Sequence, residues 1–216
     1  AGFAVTSGRW LDHYDRLYEQ AKKDYLEKIY KMAGEHPEWV IGLMFDHPFF
    51  EPDTPEITEA DVADSETDTA VFVITRNSGE GKDRVDREGD YRLTAGEERA
   101  VRFLAAHYEK CIVLLNVGGV IDLSVLNGIQ GVNALLLVGQ LGNTGGCAVG
   151  DVLAGEGIPS GKLTDTWAKK YSDYPSSAEF SQNNGNLDDE YYKDGIYVGY
   201  RYFDTFGVEP EYCFGY

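Results

Sequence analysis

Residues 69–75, Thr69-Ala70-Val71-Phe72-Val73-Ile74-Thr75, form an unbroken run of small, β-branched and aromatic side chains. A run of this length and composition is typical of a strand that a parallel sheet buries on both faces. Two further apolar runs of strand length follow at residues 111–115 and 134–138. Because helical patterns separate the three runs, the sequence predicts alternating strands and helices, which is the α/β class.

The helices between the strands have recognisable ends. Thr94 and Glu97 form a capping-box pattern, which opens a helix carried by Ala100, Val101, Leu104, Ala105 and Tyr108. A short helical piece is expected at 123–126, and a helix at 146–154 that Gly155 closes. Right-handed crossovers would place helices on both faces of the sheet, so we predict a three-layer α/β/α sandwich with a mostly parallel sheet.

Ligands of such sheets bind outside the carboxyl ends of the strands, so the loops to inspect follow Thr75, Leu115 and Val138.

Both flanks of this pattern are also informative. A helix is predicted over residues 9–33, with Ser7 as N-cap and Gly34 as terminator, followed by a proline-rich connection and a short helix near 59–63. The chain turns irregular and rich in tyrosine after Pro159, and residues 168–216 are expected to form a C-terminal arm. Within it, residues 196–202 alternate like an edge strand or an extended arm.

We expect residues 1–216 to form a single domain excised from a longer chain, since no initiator Met is present.

Composition excludes several classes of protein. The chain has 37 Asp and Glu against 19 Lys and Arg, a formal net charge of −18, so nucleic acid and anionic membranes are not expected partners. No apolar stretch reaches the roughly 20 residues of a membrane span. The 3 cysteines are widely spaced, which indicates neither a disulfide framework nor a zinc site. Free thiols suit a reducing compartment, so a cytoplasmic location is expected.

Common α/β motifs fail here. The run Gly79-Glu80-Gly81 follows a strand, but Arg84 stands where a dinucleotide fingerprint needs its third glycine. Gly161-Lys162 lacks the other residues of a phosphate loop, and no G-x-S-x-G elbow occurs. The four histidines lie in the predicted helices and the connector, where they are expected to be surface or packing residues.

What remains is the loop from Arg76 to Arg84, at the carboxyl end of the first buried strand. It presents one carboxylate, Glu80, between glycines that leave room for a ligand. From the residues alone, Glu80 is either a solvated loop residue or a site carboxylate. Asp83 and Arg84 are expected to form an ion pair that shapes the loop, and a solvated face is expected of Asp86, Arg87, Glu88 and Asp90.

Five sequence blocks together carry a resemblance. They are Arg76-x-Ser78-Gly79-Glu80-Gly81-x-Asp83-Arg84, Asn116-Val117-Gly118-Gly119, residues 151–155 leading to Pro159-Ser160-Gly161-Lys162-Leu163-x-x-Thr166-Trp167, residues 192–203, and Tyr212-Cys213-Phe214-Gly215-Tyr216. In this order they resemble the α/β sandwich domain of glycoside hydrolase family 3, the partner of a TIM-type barrel in β-glucosidases and related enzymes. The likeness is specific from about Ala70 onward and looser before it.

The resemblance implies a retaining glycosidase whose nucleophilic Asp lies in the barrel and whose acid/base Glu lies on the sandwich loop. Glu80 matches the acid/base, and the residues expected to shape its loop are Arg76, Ser78, Gly79, Gly81, Asp83 and Arg84. Implied partners are β-glucosides or gluco-oligosaccharides and a barrel domain of the same polypeptide, without cofactor or metal. The chain alone is then expected to be inactive, and its sugar-binding residues stay unassigned.

Some residues depart from the family pattern, and two alternatives stay open. Asn143-Thr144 stands where many relatives carry Gln-Glu, and Thr164 replaces a frequent proline. The main alternative is a non-catalytic module that binds carbohydrate or lines outer sugar subsites, and a weaker one is a flavodoxin-like cofactor protein. The tyrosine-rich arm either offers a platform to sugar rings or packs on its own sheet and a neighbouring domain.

Overall fold

A computed structural model describes residues 2–77, 84–180, 184–186, 188–189 and 191–216. The chain divides into two compact units, Ala4–Thr67 and Asp68–Tyr216, the second including the first residues of the chain. The expectation of a single domain over residues 1–216 stays a prediction. No helix among the described residues combines the length and the apolar character that crossing a bilayer requires.

The first unit is helical, with α1 at Gly8–Ala33, α2 at Val40–Asp46 and α3 at Glu59–Ser65. Helix α1 confirms the prediction for residues 9–33, since it starts after Ser7 and is followed by Gly34, whose φ of 60° is a conformation that glycine adopts readily. Helix α3 begins with a capping box between Thr58 and Asp61. Helix α2 was not predicted.

The second unit is built on three parallel strands, β1 at Thr69–Arg76, β2 at Lys110–Val117 and β3 at Val132–Leu137, in the order β1-β2-β3. Arg76 pairs with Val117, and Leu115 pairs with Leu137, so the carboxyl ends of all three strands lie along one edge. The predicted strands and the α/β class with a parallel sheet are confirmed.

Helix α4 at Ala95–His107 covers one face of this sheet and contacts β1 and β2. Its apolar side chains Ala100, Val101 and Leu104 are buried there. On the opposite face, Val71 is 43% exposed and Val73 is 49% exposed. The expectation that β1 is buried on both faces is therefore wrong, because this edge strand is fully covered only on the α4 side.

Two short helices complete this part of the second unit, α5 at Ser124–Asn127 and α6 at Gly145–Leu153. Both lie within one residue of the predicted positions. Gly155 follows α6 with a φ of 78°, a conformation suited to glycine.

The C-terminal segment contains β4 at Trp167–Ala168, α7 at Tyr200–Phe206 and β5 at Pro210–Tyr212, with β4 and β5 antiparallel. An edge strand over residues 196–202 is therefore wrong, because α7 starts inside it. The large side chains of this segment fit both the alternation of a strand and the spacing of a helix, and in the structure they form a helix with Phe203 buried. Gly199 and Gly207, which bracket this helix with φ of 59° and 65°, were the signal for it.

Candidate active-site loop and its anchors

The predicted site loop begins where β1 ends. Ser78, Gly79, Glu80, Gly81 and Asp83 lie outside the described residues, and with them the predicted Asp83–Arg84 ion pair. Both ends of the loop are described, at Arg76-Asn77 and at Arg84-Val85. The roles assigned to Glu80 and its neighbours stay predictions.

Arg76, the last residue of β1, is buried and uses all of its side-chain donors. Its Nε donates to the Asp90 carbonyl at 2.9 Å, and Nη1 and Nη2 also donate to the carbonyls of Thr75 and Arg92 at 2.8 and 3.2 Å. Two further bonds go to the Glu97 carboxylate, each 2.7 Å long. Because a guanidinium has five N–H donors and all five are used, Arg76 is a structural residue with no donor left for a ligand.

Glu97 has two roles at once. One of its carboxylate oxygens accepts from the Thr94 backbone N–H at 2.8 Å, while the Glu97 N–H donates to the Thr94 hydroxyl at 3.0 Å, which is the predicted capping box. The same carboxylate is the buried bidentate partner of Arg76. The first turn of α4 is thereby joined to the carboxyl end of β1, because one carboxylate serves the helix cap and the strand end together.

Arg84 holds the other end of the loop. Its Nη1 donates to the carbonyl of Asn77 at 3.2 Å and to the Asp90 carboxylate at 3.1 Å. The second oxygen of Asp90 accepts from the Val85 backbone N–H at 3.2 Å. Since the Asp90 carbonyl also accepts from Arg76, Asp90 is bonded to both ends of the loop.

Asp90 is therefore not part of a solvated face, and that expectation is wrong for it. Its side chain is only 14% exposed and that of Arg84 is 15% exposed, because the two groups pair with each other. The expectation holds for its neighbours, since Asp86 is 48% exposed in a surface pair with Arg92, and Arg87 and Glu88 are exposed.

The loop after β2 approaches the same place. A side chain at Gly119 would point at Arg84, whose Nε lies 3.9 Å from the position of the absent Cβ. After β3, the Val138 and Gly139 N–H groups both donate to the Leu115 carbonyl, at 3.0 and 3.2 Å. The structure therefore brings the loop after β1 and the loop after β2 together at Arg84. The start of the loop after β3 is instead hydrogen-bonded to the end of β2.

Tyrosines of the aromatic-rich C-terminal segment pack against the Arg84 end of the loop. The Tyr171 hydroxyl donates to the Arg84 carbonyl at 3.5 Å, and its ring lies 5.1 Å from that of Tyr91, centroid to centroid. Tyr91 is buried, and burial raises the pKa of its hydroxyl far above the ordinary value, so it is neutral at all physiological pH. Tyr174 packs edge-on against Tyr91 as well.

Sequence reasoning missed Asp90, Tyr91 and the second role of Glu97. The capping-box pattern identified Glu97 as a helix cap, but nothing in the spacing pairs it with an arginine 21 residues earlier. Asp90 lies among other charged residues, and only the fold separates it from them.

The described residues offer no metal site, since no group of three His, Cys, Asp or Glu side chains among them could hold an ion. Cys111 is buried, and burial raises the pKa of its thiol, while Cys147 and Cys213 are exposed. What the arrangement offers chemically is a rigid base for a short loop at the carboxyl edge of a parallel sheet.

Comparison with known proteins identifies the relatives of this chain. Residues 4–200 match the glycosyl hydrolase family 3 C-terminal domain. A β-glucosidase of Ruminococcus albus is 41% identical over 207 residues, which are 94% of this chain and 21% of that protein. β-Glucosidase A of Butyrivibrio fibrisolvens is 38% identical over 191 residues, which are 77% of this chain and 22% of that protein.

Solved structures agree with this relationship. β-Glucosidase 3B of Thermotoga neapolitana, in complex with glucose, superposes with a TM-score of 0.70 at 36% identity, over 92% of this chain and 27% of that one. A β-glucosidase from Paenibacillus barengoltzii superposes with a TM-score of 0.68 at 36% identity, over 84% and 21%. The chain thus spans between a fifth and about a quarter of the length of the proteins it resembles.

Proposed function

The chain belongs to glycosyl hydrolase family 3 as a C-terminal domain of that family, and on this premise we propose that it is the α/β domain of a retaining β-glucosidase in which Glu80 is the general acid/base. The relatives in Ruminococcus albus, Butyrivibrio fibrisolvens and Thermotoga neapolitana are β-glucosidases by name, which supports the substrate class of β-glucosides or gluco-oligosaccharides.

The observation that carries the proposal is the construction of the two loop ends. The segment with Glu80 starts and finishes at the carboxyl edge of the sheet, where α/β proteins bind ligands. Arg84 joins those ends through the Asn77 carbonyl, 3.2 Å from Nη1, and through Asp90. A buried, fully satisfied Arg76 anchors them to β1 and α4. Such a base suits a side chain that must be held in position for chemistry.

In the proposed reaction, a carboxylate from another domain attacks the anomeric carbon while Glu80 donates its proton to the departing glycosidic oxygen. Glu80, now ionised, then takes a proton from the water that hydrolyses the glycosyl-enzyme, so the anomeric configuration is retained. Arg76 takes no part in sugar binding, since its five donors are all used within the protein.

The nucleophile is assigned to a TIM-type barrel domain of the same polypeptide. A barrel takes about 250 residues and eight strand-helix units, which the three parallel strands described here do not supply. The relatives are four to five times as long as the segment they share with this chain, which leaves room for such a domain. The chain by itself is then inactive on β-glucosides, and substantial turnover by it alone would refute the division of labour.

The alternative is a non-catalytic module that binds carbohydrate or lines outer sugar subsites. It draws support from exposed aromatic rings near the C-terminus, above all Tyr192 at 91% exposure. Titration of the chain with gluco-oligosaccharides separates the two functions, because binding at millimolar concentration or tighter by this chain alone favours the module. Absence of such binding favours the catalytic role.

Leaving-group dependence tests the acid role of Glu80. In the complete enzyme, Glu80→Ala is expected to lower the rate of glycosyl-enzyme formation about 100-fold or more for an alkyl β-glucoside and much less for a dinitrophenyl β-glucoside, which leaves without protonation. Glu88→Ala is the matched control, since Glu88 is an exposed carboxylate of the same connection. Equal losses on both substrates would contradict general acid catalysis by Glu80.

A further inference from the structure

We propose that Asp90 is a positioning residue for the acid/base step, acting through Arg84 on the loop that carries Glu80. The inference rests on the proposed function of Glu80 and adds to it a residue outside the loop.

The contacts of Asp90 form a closed circuit around the loop ends. Arg84 Nη1 bonds the Asn77 carbonyl at 3.2 Å and the Asp90 carboxylate at 3.1 Å, and the Asp90 carbonyl accepts from Arg76 Nε at 2.9 Å. Arg76 and Asn77 are neighbours in the chain, so the circuit returns to its start. The Val85 N–H also donates to the other carboxylate oxygen of Asp90, at 3.2 Å.

Arg76 and Glu97 fix the Asp90 backbone to the sheet and to α4. The Asp90 carbonyl is bound by a guanidinium that is itself fixed by two 2.7 Å bonds to Glu97 and lies at the end of β1. The position of the Asp90 backbone is therefore set by the sheet and by α4, and the Asp90 carboxylate in turn holds the Arg84 guanidinium in place. Charge-assisted hydrogen bonds of this kind are roughly twice as strong as neutral ones, so Arg84 is held tightly.

Position matters at Glu80 because a general acid must lie within hydrogen-bond reach of the glycosidic oxygen. Misplacement of a catalytic group by about 1 Å can reduce a rate about 100-fold. The sequence puts Gly79 and Gly81 on either side of Glu80, and glycine restricts φ and ψ less than any other residue. We therefore expect the hydrogen bonds of Asp90 and Arg84 at the two ends of the loop to help position the carboxylate.

The first test compares Asp90→Asn with Asp86→Asn in the complete enzyme. Both remove one negative charge from the segment between Arg84 and α4, but the ion pair of Asp86 among the described residues is the surface pair with Arg92. Asp90→Asn is expected to lower kcat on dinitrophenyl β-glucoside about 10-fold to 100-fold, because this kcat reports the base-assisted second step. KM is expected to fall together with kcat, because the glycosyl-enzyme accumulates when its hydrolysis is slowed. Asp86→Asn is expected to match the parent enzyme. Equal activity of the two variants would overturn the proposal.

A double-mutant cycle separates positioning from general stability. If Asp90 acts through Glu80, then Asp90→Asn adds nothing to the loss already caused by Glu80→Ala. If Asp90→Asn lowers kcat as much in the Glu80→Ala background as alone, Asp90 acts elsewhere in the fold and the proposal is wrong. Full activity of Glu80→Ala would instead refute the proposed function itself, and that outcome is read from the single variant.

Arg84→Gln repeats the cycle if Asp90→Asn does not fold, as judged by its thermal unfolding. Glutamine keeps an amide donor but has neither the charge nor the reach of a guanidinium to both Asn77 and Asp90. The expected result is the same: a loss in kcat that disappears in the Glu80→Ala background. An undiminished loss in that background would overturn the proposal through this variant too.

Discussion

The guanidinium of Arg76 and the carboxylate of Glu97 meet through two parallel hydrogen bonds, each 2.7 Å long, at the junction of the first strand of the sheet and the helix that covers it. Both groups are buried, and every donor of the guanidinium has an acceptor. A buried charge pair is tolerated when its remaining hydrogen bonds are satisfied in this way. The pair therefore fixes the end of β1, from which the proposed acid/base loop begins, to helix α4.

Arg76→Met should be strongly destabilising, because it leaves the Glu97 carboxylate buried without its partner. We expect the free energy of unfolding, measured by urea denaturation of the chain, to fall by about 3–5 kcal/mol. Arg102→Met is the matched control, since Arg102 forms a half-exposed pair with Glu98 on α4 and should cost less than about 1 kcal/mol. Similar losses for the two variants would mean that the buried pair has no special weight.

Thr94→Ala should destabilise the chain by about 1 kcal/mol, because the hydroxyl that caps the α4 N-terminus is lost. Ser7→Ala is the comparison, since Ser7 occupies the N-cap position of α1 without a side-chain capping bond and should leave stability unchanged. Chemical denaturation of both variants checks this, and a loss at Ser7 equal to that at Thr94 would count against the capping account.

The three cysteines should differ in reactivity. Burial raises the pKa of the Cys111 thiol, whereas Cys147 and Cys213 are exposed. At neutral pH an alkylating reagent should modify Cys147 and Cys213 in the folded chain and Cys111 only after unfolding, as mass spectrometry of the labelled peptides will show. Labelling of Cys111 at the rate of the other two would contradict the buried environment.

The same shift makes a prediction for pH. The folded state binds the Cys111 proton more tightly than the unfolded state, whose thiol titrates at about pH 8.5. This contribution to stability is therefore complete below that pH and is lost as the pH rises above it. Cys111→Ser should flatten that part of a plot of unfolding free energy against pH, and an unchanged slope would contradict the assignment.

Much of the fold could be predicted from local sequence. The apolar runs at residues 69–75, 111–115 and 134–138 are strands, and the Thr94–Glu97 pattern is a helix cap, because these signals depend on neighbours in the chain. The exposure of Val71 and Val73 could not be predicted, since an apolar strand looks the same whether one face or both are covered. Residues 196–202 were misjudged because alternation and helical spacing overlap there.

In the candidate site, too, some residues could be predicted from the sequence and their partners could not. Arg76 and Arg84 were expected to shape the loop, and that role stays a prediction; the structure places Arg76 at the end of β1 and Arg84 in a hydrogen bond to the Asn77 carbonyl. Asp90 and Glu97, which hold them, are bonded across 6 and 21 positions of sequence. No periodicity links residues at such separations, so these partners could be recognised only once strand, loop and helix had been placed.

The most direct test of the central claim is azide rescue of Glu80→Ala in the complete enzyme, with dinitrophenyl β-glucoside as substrate. This leaving group departs without protonation, and azide attacks the glycosyl-enzyme without base assistance. We predict that the variant loses activity and that azide restores it, with β-glucosyl azide as the product. A variant that stays active without azide would contradict the assignment of Glu80 as the acid/base.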